Sequence, residues 1–136
     1  MREQLSTNGR GRGEALAAVS TGLVQLYARR CGRGPTKAKT TQIANDMIVC
    51  VLRDPYTAAE LTLLDRDQPE VVQRMRGEFQ RVMETEACLI AEQNFGRPVI
   101  ARMNMMHADP DIAVEIFQLE PHGQDSWLFD VSGPGA

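Results

Sequence analysis

A chain of 136 residues, 43% hydrophobic and 24% charged, has the length and balance of one globular domain that buries its own core. Its net charge of -3 leaves no overall excess of cations for phosphates, which excludes nucleic-acid binding by bulk charge. No apolar run reaches the ~18 residues of a membrane span, and the opening MREQLSTNGRGRG lacks an apolar signal core, so a cytoplasmic protein is expected.

Residues 1–12 read as a short, flexible, basic arm, and 13–121 as a single α+β domain. From Gly13 onward, Leu16, Val19, Leu23, Leu26 and Tyr27 fall at helical spacing. Arg29 and Arg30 suit the last turn of that helix, and Gly32 its stop. KAKTTQIANDMIVCVLRD then predicts two strands around Asn45-Asp46. The second of them, Met47 to Leu52, is apolar on both faces, which places it centrally in a sheet.

Thr57-Ala-Ala-Glu60 is a capping box opening a short helix through Leu64. Asp67-Gln-Pro-Glu70 offers another, with Pro69 tolerated in the first turn. The long helix that follows carries Val72, Met75, Phe79, Val82, Met83 and Ile90 on one stripe, and ends near Gly96. Its polar face holds Arg74, Arg76, Glu78, Arg81, Glu84 and Glu92. VIARMNMM and DIAVEIFQL form a further strand pair around HADPD. In it Met103 and Met105 alternate onto one face, which is expected to be core. Glu115 interrupts an apolar strand; if its face is covered it needs a cation, and Arg102 on the neighbouring strand is the candidate. Residues 122–136 form a turn-rich tail whose Trp127-Leu128-Phe129 patch is expected to dock on the body or on a partner chain.

Helix, glycine-containing loop, strand, turn and strand thus occur twice in the same order. Aligning Pro35 with Pro98 also aligns Ala38 with Ala101 and Lys39 with Arg102. The architecture expected is a duplicated α-β-β unit giving a four-stranded antiparallel sheet with its helices on one face.

Chemistry is sparse. Cys31, Cys50 and Cys88 form no CxxC pair, which argues against a disulfide framework or a zinc site. Cys50 and Cys88 are expected to be inert core residues, while Cys31 sits at a helix C-terminus that disfavours a thiolate. His107 opens a turn, His122 lies in the tail, and neither completes a nucleophile triad. The pairs Asp65/Asp67 and Asp109/Asp111 are accounted for by caps and turns. No metal, cofactor or catalytic residue is expected.

The informative stretch is CGRGPTKAKT. It lacks the Walker A glycine before Lys37, and the predicted order is helix then strand rather than strand then helix. It lacks the second arginine of an AT-hook, so a DNA-associated regulator ranks low. Two readings remain. In one, Gly34 and Pro35 shape a joint, and the lysines protect an edge strand. In the other, Arg33, Gly34, Thr36, Lys37, Lys39 and Thr40 hold a small anion, with Arg102 completing the site from the second repeat.

GRGPTKAKT, the strand MIVCVL, the Thr-Ala-Ala-Glu helix start and the closing HADPDIAVEIFQLEP together resemble the YbcI-like family of small bacterial cytosolic proteins, over residues 13–121. The resemblance implies a regulatory or accessory domain linked to inorganic-carbon uptake, with bicarbonate as the anion and no catalytic residues. It puts weight on Gly32, Arg33, Gly34, Pro35, Thr36, Lys37 and Lys39. The function expected is a non-catalytic, small-anion-binding domain acting as a dimer or through a partner protein. The alternative is a dimerisation module with no small ligand.

Overall fold

The computed structural model describes residues 10–121. The N-terminal arm up to residue 9 and the Trp127-Leu128-Phe129 patch lie outside them. Seven elements follow in order: α1 (Arg10–Cys31), β1 (Lys37–Ile43), β2 (Met47–Arg53), α2 (Ala58–Asp65), α3 (Pro69–Phe95), β3 (Val99–His107) and β4 (Ile112–Leu119). The strands form one antiparallel sheet in the order β1-β2-β4-β3. Each α-β-β unit contributes one hairpin, and the two hairpins meet at the central strands β2 and β4. The duplication expected from sequence is therefore the organising feature of the fold.

Helix α1 packs on β1 and β2, α3 packs on β3, and the two helices pack on each other. Their apolar stripes enclose one core: Val19, Leu23, Leu26 and Tyr27 from α1, Met83, Ala87 and Ala91 from α3, and Ile48, Cys50, Leu52, Phe117 and Leu119 from the sheet. Side chains in a strand alternate between faces, so the intervening residues of β2 and β4 point away from both helices.

Local signals explain most boundaries. Thr57 accepts from the Glu60 backbone N–H while Glu60 accepts from the Thr57 backbone N–H, so the capping box opens α2 as expected. Gly96 ends α3 in the left-handed conformation at φ 68, and Gly32 ends α1 at φ 87. Three expectations need correction. Helix α1 starts at Arg10, inside the stretch read as an arm. Helix α3 has no side-chain cap, because Asp67 adopts φ 61 and Gln68 takes the cap position. The buried stripe of α3 is Val72, Arg76, Gln80, Met83, Ala87, Ala91 and Phe95, while Val82 faces solvent. That stripe keeps a strict helical period, but two of its members are polar. The apolar-only stripe therefore lies one position around the helix from the buried one.

Gly34 marks a close approach. A Cβ there would lie 2.9 Å from the carbonyl oxygen of Val24 on α1, a backbone atom that cannot swing aside. Gly34→Ala is expected to cost about 1–3 kcal/mol, the range for forcing atoms into a filled space. Urea unfolding of the two proteins would measure it.

Candidate functional site

The residues of the GRGPTKAKT loop are mostly occupied in holding the fold. Arg33 donates from Nη1 to the carbonyls of Asp54 (2.9 Å) and Tyr56 (2.6 Å), pinning the chain as it leaves β2. Arg97, in the matching loop before β3, donates to the carbonyls of Glu120 (3.2 Å) and Asn45 (2.8 Å) and pairs with buried Asp46 at 2.7 Å. Each repeat thus uses a Gly-Arg pair after its helix to fasten the exit from its own second strand. Thr36 donates its hydroxyl to the Asp54 carboxylate. Thr40 faces the helices, where its hydroxyl lies 2.7 Å from that of Ser20. Of the proposed anion ligands only Lys37 and Lys39 are left exposed on the strand, beside Arg53, which pairs in register with Lys37.

Arg102 does not join them. It sits on β3, at the opposite edge of the sheet from β1, roughly 14 Å away at ~4.8 Å per strand. A register shift between Val99 and Ala101 adds one residue to β3. A one-residue slip moves every following side chain to the other face. Lys39 therefore faces the open side, while its counterpart Arg102 turns toward the helices.

There Arg102 meets Glu115, as expected from the acid's position in an apolar strand. The guanidinium Nε lies 2.8 Å from Glu115 Oε1 and Nη2 lies 3.0 Å from Oε2. Nη1 reaches Glu84 at 2.7 Å, and Nη2 also donates to the Gln80 side chain. Tyr27 donates to Glu115 at 2.5 Å and accepts from Gln80 at 3.1 Å. Burial pushes the Glu115 carboxyl upward, and the donors from Arg102 and Tyr27 counter that push. Burial, reinforced by the neighbouring carboxylate, holds the Tyr27 hydroxyl far above its ordinary value, so it remains a donor. The network is satisfied, and only its Glu84 end reaches solvent, which suits structure rather than ligand exchange.

The sheet face turned away from the helices is a different matter. Strand pairing sets its side chains in four rows across β1, β2, β4 and β3. These are Lys37–Arg53–Ile112–His107, Lys39–Val51–Val114–Met105, Thr41–Val49–Ile116–Met103 and Ile43–Met47–Gln118–Ala101. Most of these positions are apolar, none is acidic, and the cations gather at one corner. Val51 is 39% exposed, Met103 47% and Met105 70%. The expectation that Met103 and Met105 are core filler is thus overturned: they do share a face, but it is the uncovered one. At roughly 19 Å by 23 Å the face has a flat footprint of roughly 400 Å². Exposed apolar residues grouped on one face and rimmed by polar ones mark interaction sites.

Elsewhere the chemistry is quiet. A groove of about 980 Å³ between α2 and the β3–β4 turn is lined by Asp54, Asp65, Asp67, Asp109 and Asp111 among others. Among the described residues no group of three or more His, Cys, Asp or Glu side chains could hold a metal ion. His107 contacts the Pro110 carbonyl within its turn at 2.9 Å. Cys50 is buried as expected, whereas Cys88 is only half-buried on α3. Burial raises the thiol pKa of Cys31, Cys50 and Cys88 alike. Iodoacetamide at pH 8 is therefore expected to label Cys50 only as fast as the protein unfolds, which a mass-spectrometric time course would follow.

No helix among the described residues is long and apolar enough to cross a membrane. A model of the family described as "Na+-translocating membrane potential-generating system (MpsC)" matches residues 11–121, and the chain belongs to that family. This match replaces the YbcI-like assignment suggested by GRGPTKAKT. The loop that carried that resemblance is occupied mainly in joining helix to strand. No curated protein and no solved structure matches the chain.

Proposed function

We propose that this MpsC-family chain is a non-catalytic accessory domain that docks, through the open face of its sheet, onto another protein of a Na+-translocating, membrane-potential-generating system. One observation carries the reading. Strands β2 and β4 are apolar on both faces, a pattern of strands covered on both sides, yet the helices cover only one. The partner chemistry that fits is an apolar strip flanked by carboxylates, which would meet Lys37, Lys39 and Arg53 at the corner.

Charge argues against the other occupants. A second copy of the chain brings no acidic residue on this face, so the three cations would enter the interface unanswered. A lipid surface favours cations distributed around an apolar patch, and here they lie at one corner only. The domain would sit on the cytoplasmic side, where it meets the exposed segments of the membrane components.

Light scattering on the domain alone, and on the domain co-produced with the other components of the system, tests the reading. A monomer that becomes a stoichiometric complex with one component supports it. A homodimer that excludes all components, or binding to anionic vesicles alone, would sink it.

The cationic corner also favours a second, narrower reading, in which Lys37, Lys39 and Arg53 hold a small anion such as bicarbonate. Calorimetry with bicarbonate, phosphate and acetate tests it. Binding heat that Lys37→Ala abolishes supports it, and no heat from any of the three eliminates it.

A further inference from the structure

The open face of the sheet calls for an apolar strip flanked by carboxylates, and this chain carries one. Within residues 122–136, HGQDSWLFDVSGPGA, Trp127, Leu128 and Phe129 stand between Asp125 and Asp130, and the segment has no lysine or arginine. The four rows of the face hold no acid and three cations, Lys37, Lys39 and Arg53. Segment and face are complementary in charge as well as in apolar character.

The way the segment is anchored brings it to that face. Strand β4 is central in the sheet and ends at Leu119, whose backbone N–H donates to the Asp46 carbonyl at 2.7 Å. The next N–H, that of Glu120, donates to the Pro98 carbonyl at 2.9 Å, and Arg97 Nε donates to the Glu120 carbonyl at 3.2 Å. The chain is thus fastened up to Glu120, at the end of the face opposite the Lys37–Arg53–Ile112–His107 row. Glu120-Pro121-His122-Gly123 has proline second and glycine fourth, a sequence that suits a type I turn and hence a reversal.

Gln124 and Asp130 are separated by the same number of residues as Gln118 and Ile112 on β4. An extended segment running back along β4 therefore spans the face. It carries Trp127, Leu128 and Phe129 over the rows of Ile116 and Val114, and Asp130 to the level of Arg53 and Lys37. Trp127, Phe129 and Val131 alternate, as the apolar residues of an extended chain on a flat surface do. Lysine and arginine stems are long enough to rise beside a segment lying on the sheet. A short tether holds such a segment at an effective concentration of about 1 mM, so little intrinsic affinity is needed.

We propose that residues 122–136 fold back over the open face of their own sheet, seating Trp127 and Phe129 on Val114 and Ile116 and setting Asp130 against Arg53 and Lys37. The contact is autoinhibitory: a partner protein reaches the face by displacing the tail, a consequence that rests on the docking reading above.

Trp127 is the one tryptophan of the chain, so its fluorescence reports on the tail alone. In the full chain by itself, its emission is expected to lie to the blue of the urea-unfolded protein and to resist acrylamide quenching, equally at all protein concentrations. Ile116→Asp should shift it to the unfolded position while the far-UV circular dichroism stays native. Asp125→Lys with Asp130→Lys alters the tail only, and should raise the quenching constant at least threefold. Removing residues 122–136 should tighten binding severalfold to the component with which the full chain forms a complex. The proposal is overturned if Trp127 is as accessible in the native as in the unfolded chain, or if neither variant exposes it. Shielding that appears only at high protein concentration, as contact between copies would give, overturns it too, as does a truncation that weakens partner binding or leaves it unchanged. If no component binds either form, the docking reading fails, while the emission results still decide where the tail sits.

Discussion

Replacing Arg102 by leucine is expected to lower the unfolding free energy by about 3–5 kcal/mol, the range for removing one partner of a buried ion pair. Glu115 has no exposed surface and draws two of its donors from this one guanidinium. Without it, burial acts on the carboxyl with only Tyr27 to oppose it, and Gln80 and Glu84 lose a donor as well. The double variant Arg102→Leu with Glu115→Leu removes both charges and fills much of the space with apolar atoms. It is expected to recover most of the loss, because replacing a buried pair by hydrophobic residues is often neutral. Urea melts of the wild type, both single variants and the double variant close the cycle. Strongly non-additive losses support a coupled pair, and additive ones would contradict it.

Placing aspartate at Ile116 is expected to weaken docking to the partner by about 100-fold or more, the scale of a central interface residue. Ile116 lies in the middle of the open face, in register with Val49 on one side and Met103 on the other. A charge there is buried on docking without a counter-ion. The isolated domain pays little, since the site is already partly hydrated. The melting temperature should move by only a few degrees while the complex is lost, a separation that co-purification and a thermal melt would measure together. The same substitution at Val82, exposed on α3, should leave docking unchanged. Lys39→Glu, at the cationic corner, should chiefly slow association and reduce its salt dependence.

Much of the fold was legible because each signal was local. The capping box at Thr57, the glycine stops at Gly32 and Gly96, and the paired hairpins all depend on residues a few positions apart. The Glu115–Arg102 pair was legible too, since a lone acid in an apolar strand needs a cation nearby. What failed depended on packing. The pattern MNMM fixes which residues share a face but not whether a second layer covers it, so in the sequence Met103 and Met105 look like core residues. The bulge in β3 is invisible in the sequence, and it carried Arg102 to the face opposite Lys39. Arg33 read as a ligand because a side chain that binds backbone carbonyls leaves no sequence trace of its partners. Its repeat counterpart Arg97, with the same Gly-Arg context, was the signal that would have exposed a structural role. In the sequence Arg76 looks like a solvent-side residue for a related reason: its partner Glu60 sits on a different helix.

What covers the open face of the sheet decides the function of the domain. Photo-crosslinking from p-benzoylphenylalanine at Val51 and at Met103, with Val82 as the control, reads this in cells that co-produce the other components of the system. The prediction is a crosslink to one of those components from both sheet positions and none from Val82. Crosslinks only to a second copy of the chain, only to lipid, or equally from all three positions would contradict it.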